Sequence, residues 1–154
     1  MSNLSGSSHL RQILGKGKIV RNFRFAAFLL LPGLLLDGTP ASKLHTVRLT
    51  GDAEKGEYRF SPSRLTANPG DTLVFRVESG GPHALGLDPA GLSPVVRDAW
   101  NQALPRRRGL LRGPLIRDNQ PYMVVIPRAV TAGKYTIFCL PHRAYDMRLD
   151  IEVR

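Results

Sequence analysis

The sequence has a single cysteine, Cys139, so it can form no intramolecular disulfide and no cysteine-rich zinc site. Aromatic residues make up only 7% of it, with one Trp, and they are not interleaved with its basic residues. No apolar run is long enough for a multi-span membrane protein, because each spanning helix needs roughly 20 apolar residues. Acidic residues are also scarce, 12 against 22 basic ones, which leaves the 154-residue chain with a formal charge of +10. That excess raises the question of nucleic-acid binding. The hydrophobic fraction, 42%, is sufficient for a packed core and excludes a wholly disordered chain.

Much of the basic excess lies at the N-terminus. Arg11, Lys16, Lys18, Arg21 and Arg24 precede an apolar run from Phe25 to Leu36, with Pro32 and Gly33 inside it and small residues around Thr39 and Ala41 after it. A basic flank, a short apolar stretch and small residues form the pattern of an export signal. Residues 1–41 therefore read as a cleaved signal or as a retained membrane anchor, the anchor running over residues 19–36. Either reading places residues 42–154 in an extracytoplasmic, periplasmic setting, since the basic flank stays inside. Taking the five basic residues and one acidic residue of this segment from 22 and 12 leaves 17 and 11, a charge of +6. With so few aromatics, that modest charge does not indicate a nucleic-acid partner.

From Lys43 onward the pattern is that of an all-β domain. Asn68-Pro69-Gly70-Asp71 is a turn, with Pro presetting φ and Gly accepting a positive one. Leu73, Phe75 and Val77 then alternate with Thr72, Val74 and Arg76, the period of a half-buried strand. The nearly continuous apolar run Tyr122 to Ile126 reads as an inner strand. Tyr135, Ile137 and Cys139 share one face of another strand. The C-terminus alternates most strictly, with Met147, Leu149, Ile151 and Val153 inward and Arg148, Asp150, Glu152 and Arg154 outward. Leu44 to Leu49 and Tyr58 to Phe60 are weaker strand candidates. One segment breaks the period: Ser93-Pro94 is a helix start, followed by Val96, Ala99, Trp100 and Ala103 at helical spacing, and Trp100 is expected to anchor that helix in the core. The arginine-rich stretch after it, residues 105–117, reads as a basic loop. Seven or so strands with one inserted helix predict a Greek-key β-sandwich.

The chemistry is concentrated in Cys139-Leu140-Pro141-His142-Arg143-Ala144-Tyr145-Asp146-Met147. The loop joins two strands and spaces a thiol, an imidazole and a thioether so that all three can converge. That soft donor set suits copper, whereas zinc gains little from a thioether. A second imidazole is required. His9 lies in the N-terminal segment, and His45 reads as a solvated surface residue. His83 follows Gly80-Gly81-Pro82, where the glycines allow close backbone approach. His83, Cys139 and His142 would then form a trigonal plane with Met147 as the weak axial ligand, the arrangement of a type 1 copper electron-transfer site.

Residues 44–154 also resemble the plastocyanin-like cupredoxins. The matching stretches are Tyr58-Arg59-Phe60-Ser61-Pro62, Pro69-Gly70-Asp71-Thr72, Gly80-Gly81-Pro82-His83, Gly133-Lys134-Tyr135, Cys139-Leu140-Pro141-His142 and Met147. The resemblance implies a cupredoxin sandwich, one type 1 copper ion on His83, Cys139, His142 and Met147, and single-electron transfer between redox protein partners rather than enzymatic turnover. Those partners include a membrane-bound electron-transfer or photosynthetic complex, and an uncleaved N-terminal segment would add contact with the membrane. On the alternative reading, the chain is a tethered subunit with a mainly structural role in such a complex.

The sequence departs from the family pattern in three places. Ala84 follows His83 where the family often has an Asn that braces the ligand loop. Asp146 and Arg148 flank Met147 where Gly is common. The helix and basic loop, roughly residues 92–118, are additional. His142 is the expected electron port, with Arg143 beside it to steer an acidic partner.

Overall fold

The computed structural model describes residues 41–117 and 120–154. The signal or anchor expected at 1–41 lies outside the described residues except for Ala41. Nine strands are present among the described residues: β1 Leu44–Asp52, β2 Glu57–Ser61, β3 Arg64–Ala67, β4 Thr72–Val77, β5 His83–Leu87, β6 Arg112–Ile116, β7 Tyr122–Val125, β8 Gly133–Cys139 and β9 Arg148–Val153. One helix, α1 Pro94–Ala103, is inserted between β5 and β6. The strands form two sheets, in the orders β2-β1-β4-β7 and β3-β9-β8-β5-β6. This is the all-β sandwich with one short helix that the sequence predicts. Among the described residues no helix is long and apolar enough to cross a membrane.

Alternation sets which faces meet. In β9 and just before it, Met147, Leu149, Ile151 and Val153 are buried while Arg148 and Glu152 are exposed. On β8, Tyr135, Ile137 and Cys139 are buried on one face. A one-residue slip would turn each of these faces outward, so the register is strongly specified. They pack with Val47, Leu49, Leu73 and Phe75 of the other sheet, and each such side chain contributes about 1.5–3 kcal/mol on burial.

Helix α1 begins as its sequence dictates. The Ser93 hydroxyl accepts the Val96 amide at 3.3 Å, and Pro94 occupies the first turn. Trp100 is fully buried, with its ring 5.7 Å from that of Tyr135. The helix is tied to the chain beyond it, since Asn101 Oδ1 accepts the Leu111 amide at 2.9 Å.

Two expectations need correction, and one strand is unforeseen. The apolar run at Tyr122 forms an edge strand, not an inner one: β7 pairs only with β4, and Met123 and Val125 are 47% and 51% exposed. Residues 105–117 are not all loop, because β6 pairs antiparallel with β5 at the sheet edge. Its Gly113-Pro114 pair hides the strand from propensity, and an edge is where Pro is tolerated. β5, which His83 opens, is absent from the strands expected from the sequence, and all five of its residues are buried. A short, wholly buried strand carries no period to detect.

The turn before β4 ends on a clamp. Asp71, 2% exposed, accepts the Lys43 amide at 2.8 Å and the Asn68 amide at 2.9 Å, and its other contact is His45 Nε2 at 2.9 Å. His45 is therefore engaged, not freely solvated. Burial pushes the Asp71 carboxyl up, but the hydrogen bonds from the Asn68 amide, the His45 ring and the Lys43 amide outweigh it and hold the pKa at about 2.

Candidate metal centre

His83, Cys139 and His142 come together at one end of the sandwich. β5 and β8 pair with Leu85 opposite Cys139, which brings the start of β5 alongside the end of β8. The Cys139 Sγ lies 3.4 Å from His83 Nδ1 and 3.3 Å from His142 Nδ1. One ligand atom from each of the three residues lies within 4.8 Å of the others.

The loop between β8 and β9 is closed by its own backbone. The His142 amide donates to the Cys139 carbonyl at 3.2 Å, and the Cys139 amide donates to the Met147 carbonyl at 3.0 Å. A 3-10 turn, Arg143–Tyr145, fills the space between. Met147 is therefore bonded by its backbone to Cys139, and its side chain is fully buried. Asp146, just before it, sits at φ 55° in the left-handed region. Glycine adopts this conformation most readily, and Asp is among the other residues that tolerate it. Its carboxylate pairs with Arg148 at 3.2 Å, both groups exposed, so the two charges flanking Met147 balance locally.

Ala84 supplies a brace through its backbone. Its carbonyl accepts the Leu140 amide at 2.7 Å, joining β5 to the ligand loop. A side-chain amide at this position is thus not needed to link the two segments.

The donors are in, or close to, their ligating forms. His83 Nε2 lies 2.9 Å from the Ser79 carbonyl, which can only accept, so Nε2 carries the proton and the Nδ1 lone pair faces the sulfur. Burial, and then the neighbouring His83 ring, lower the pKa of His142 from its ordinary value, which favours the neutral imidazole. Burial raises the Cys139 thiol, while the Ala84 and His142 amides act in the opposite direction. A bound cation would complete that opposition in favour of the thiolate. The set of one sulfur and two imidazoles, with no carboxylate in the cluster, fits copper and offers little to a hard cation.

Two features of the site have no signal in local spacing. The first supports His83. Ser79 Oγ both accepts the Gly51 amide and donates to the Gly51 carbonyl, each at 3.1 Å. Gly80, at φ 87°, lies so close that a Cβ there would stand 2.5 Å from Gly51 Cα. The second covers His142. Tyr58 stacks on its imidazole with centroids 3.8 Å apart and planes 13° apart, and Tyr145 leans on Tyr58 at 4.7 Å. His142 is consequently 9% exposed. Tyr145 is the exposed member of this group, at 51%.

The fold and the donor set define a cupredoxin, a copper protein of the β-sandwich class. The family model for copper binding proteins of the plastocyanin/azurin family matches residues 47–154, and the chain belongs to that family. It is similar to plastocyanin of Nostoc punctiforme, 28% identical over 116 residues, covering 75% of this chain and 79% of that protein. It is 31% identical over 111 residues to the chloroplastic plastocyanin of Pisum sativum, covering 70% of this chain and 58% of that one. Among solved structures, oxidised plastocyanin from Dryopteris crassirhizoma superposes with a TM-score of 0.56 at 23% identity, covering 71% of this chain and all of that one. Copper is accordingly the cofactor, and family membership makes the protein a carrier, not an enzyme.

Proposed function

We propose that the chain carries single electrons between redox protein partners on the extracytoplasmic side of a membrane, using one type 1 copper ion held by His83, Cys139, His142 and Met147. The observation that carries this reading is the convergence of the Cys139 sulfur and two Nδ1 atoms inside one buried, prebonded pocket. Copper supplies the one-electron couple. The protein fixes the donors: Ser79 orients His83, Tyr58 holds His142 in place, and the backbone of Ala84 and Met147 closes the loop around Cys139. Donors held this rigidly need little rearrangement when the charge at the centre changes.

Residues 42–154 form the carrier domain in this reading, and residues 1–41 deliver or tether it. The third histidine of that domain, His45 at the start of β1, is bound to Asp71 in the turn before β4, apart from the donor cluster. Two tests apply. Copper-loaded protein should be blue, with strong thiolate-to-copper absorption that Cys139→Ser abolishes completely, and a colourless loaded wild type would overturn the assignment. Intact mass of the native protein separates a chain beginning near Ser42, a soluble shuttle, from one retaining Met1, a tethered subunit.

A further inference from the structure

An open groove of about 490 Å³ runs beside the donor cluster, on the side formed by the segment after α1. Its walls carry Arg108, Arg112 and Arg143, and its apolar surface comes from Leu110, Phe138 and Leu140. Phe138 and Leu140 flank Cys139 in the chain, and Arg143 follows His142, so the groove lies against the residues that frame the pocket.

The arginines are free to bind. Among the described residues, the ion pairs engage Arg48, Arg59, Arg64, Arg97, Arg148 and Arg154, but none of these three. Among the described residues the only lining carboxylate is Asp88, which accepts the Ala90 amide at 3.1 Å. Three unpaired cations around one concavity repel each other unless an anion joins them. The Arg143 guanidinium lies over the Phe138 ring, 4.7 Å from its centroid, a contact that holds it in place without using its N–H donors.

The groove is also preformed. The Arg108 amide donates to the Arg112 carbonyl at 2.8 Å, and the Leu111 amide is held by Asn101 of α1. On the floor, a Cβ at Gly86 would stand 2.5 Å from Leu140, so glycine there lets Leu140 lie flat across β5. Leu110 is 59% exposed on the rim. Organised loops of this kind lower the ordering cost of association.

We infer that this groove is the docking site for an acidic segment of the protein redox partner, its carboxylates on Arg108, Arg112 and Arg143 and an apolar side chain on Phe138, Leu140 and Leu110. The inference rests on the carrier reading above and names the partner's chemistry. A concave site with an apolar floor suits a protruding chain segment better than the flat surface of an anionic bilayer.

The test uses the full chain, 15N-labelled and loaded with Cu(I), titrated with a short synthetic peptide alternating Glu and Leu. Amide shifts should concentrate on Arg108 to Arg112, Phe138, Leu140 and Arg143. The double variant Arg108→Glu/Arg112→Glu should bind about tenfold more weakly or worse. Arg64→Glu/Lys134→Glu changes the net charge equally, and Lys134 lies at the opposite end of β8 from Cys139; this variant should stay within about twofold. Equal weakening by both variants, shifts centred on another face, or saturation by anionic lipid vesicles but not by the peptide would overturn the inference. Oxidation of the Cu(I) protein by hexacyanoferrate is read separately, and its failure would count against the carrier function and not against the groove.

Discussion

The two imidazoles of the candidate centre are held by opposite means. His83 is fully buried and fixed through backbone: its Nε2 donates to the Ser79 carbonyl, and Ser79 is bonded twice to Gly51 beside a glycine–glycine contact. His142 lies near the surface and is fixed by a side chain, the stacked ring of Tyr58. One support is directional and depends on the absence of a Cβ. The other is broad and tolerates substitution by a similar ring. The same protein thus makes one side of its site brittle and the other adaptable.

The largest expected effect comes from breaking the brittle side. Gly80→Ala would place a Cβ within 2.5 Å of Gly51 Cα at a φ of 87°. A cost of about 3 kcal/mol in denaturant unfolding is expected, together with a shifted or lost copper absorption as the Ser79 carbonyl moves. An unchanged unfolding midpoint and spectrum would show that the contact does not support His83.

Asp71→Ala sharpens the comparison by breaking a clamp that touches neither imidazole. Leaving the Lys43 and Asn68 amides unpaired should cost about 2 kcal/mol at neutral pH, with the copper spectrum unchanged. The folded-state pKa of Asp71 is depressed, so its contribution is complete above the unfolded value of about 3.9 and is lost as pH falls towards about 2. Urea titrations of both proteins across that range should show their difference shrinking. A difference independent of pH would sink this account of the clamp.

The smallest effect is expected on the adaptable side. Tyr58→Phe keeps the stack and should unfold within about 0.5 kcal/mol of wild type, whereas Tyr58→Leu removes it and should lose about 1 kcal/mol beyond its change in buried area. Tyr58→Leu should also make His142 more accessible, which faster copper exchange with a chelator would report. Identical behaviour of the Phe and Leu variants would show that ring geometry is irrelevant there.

This contrast tracks what the sequence reveals. Cys139, His142 and Met147 are readable because one tight loop joins them, and Met147 to Val153 because a single buried face imposes a period of two. The helix is readable from its Ser93 cap and the spacing up to Trp100. His83 is nameable only through its glycine-rich approach, and its place in β5 is not, since five consecutive buried residues carry no alternation. β6 is masked by Gly113-Pro114 among arginines, and β7 is apolar on both faces although one is open to solvent. The supports are the least legible. Ser79 acts through a carbonyl that every residue possesses, and Tyr58 meets His142 across 84 residues of chain. Contacts of that kind are decided by the closed sandwich, not by local pattern.

The separation of the donors has a consequence for how the pocket comes into being. His83 and Cys139 are 56 residues apart, and β6, β7 and α1 lie between them. Closing a flexible loop of that length costs roughly 3.5 kcal/mol of chain entropy beyond a constant term, and the completed sandwich meets that cost. Before β5 pairs with β8, the ligand loop offers metal only Cys139, His142 and Met147, without His83. The donors converge only once β5 and β9 have paired with β8 in the five-stranded sheet, so metal loading follows the closure of that sheet, and a molecule that loses the β5–β8 pairing loses His83 from the set.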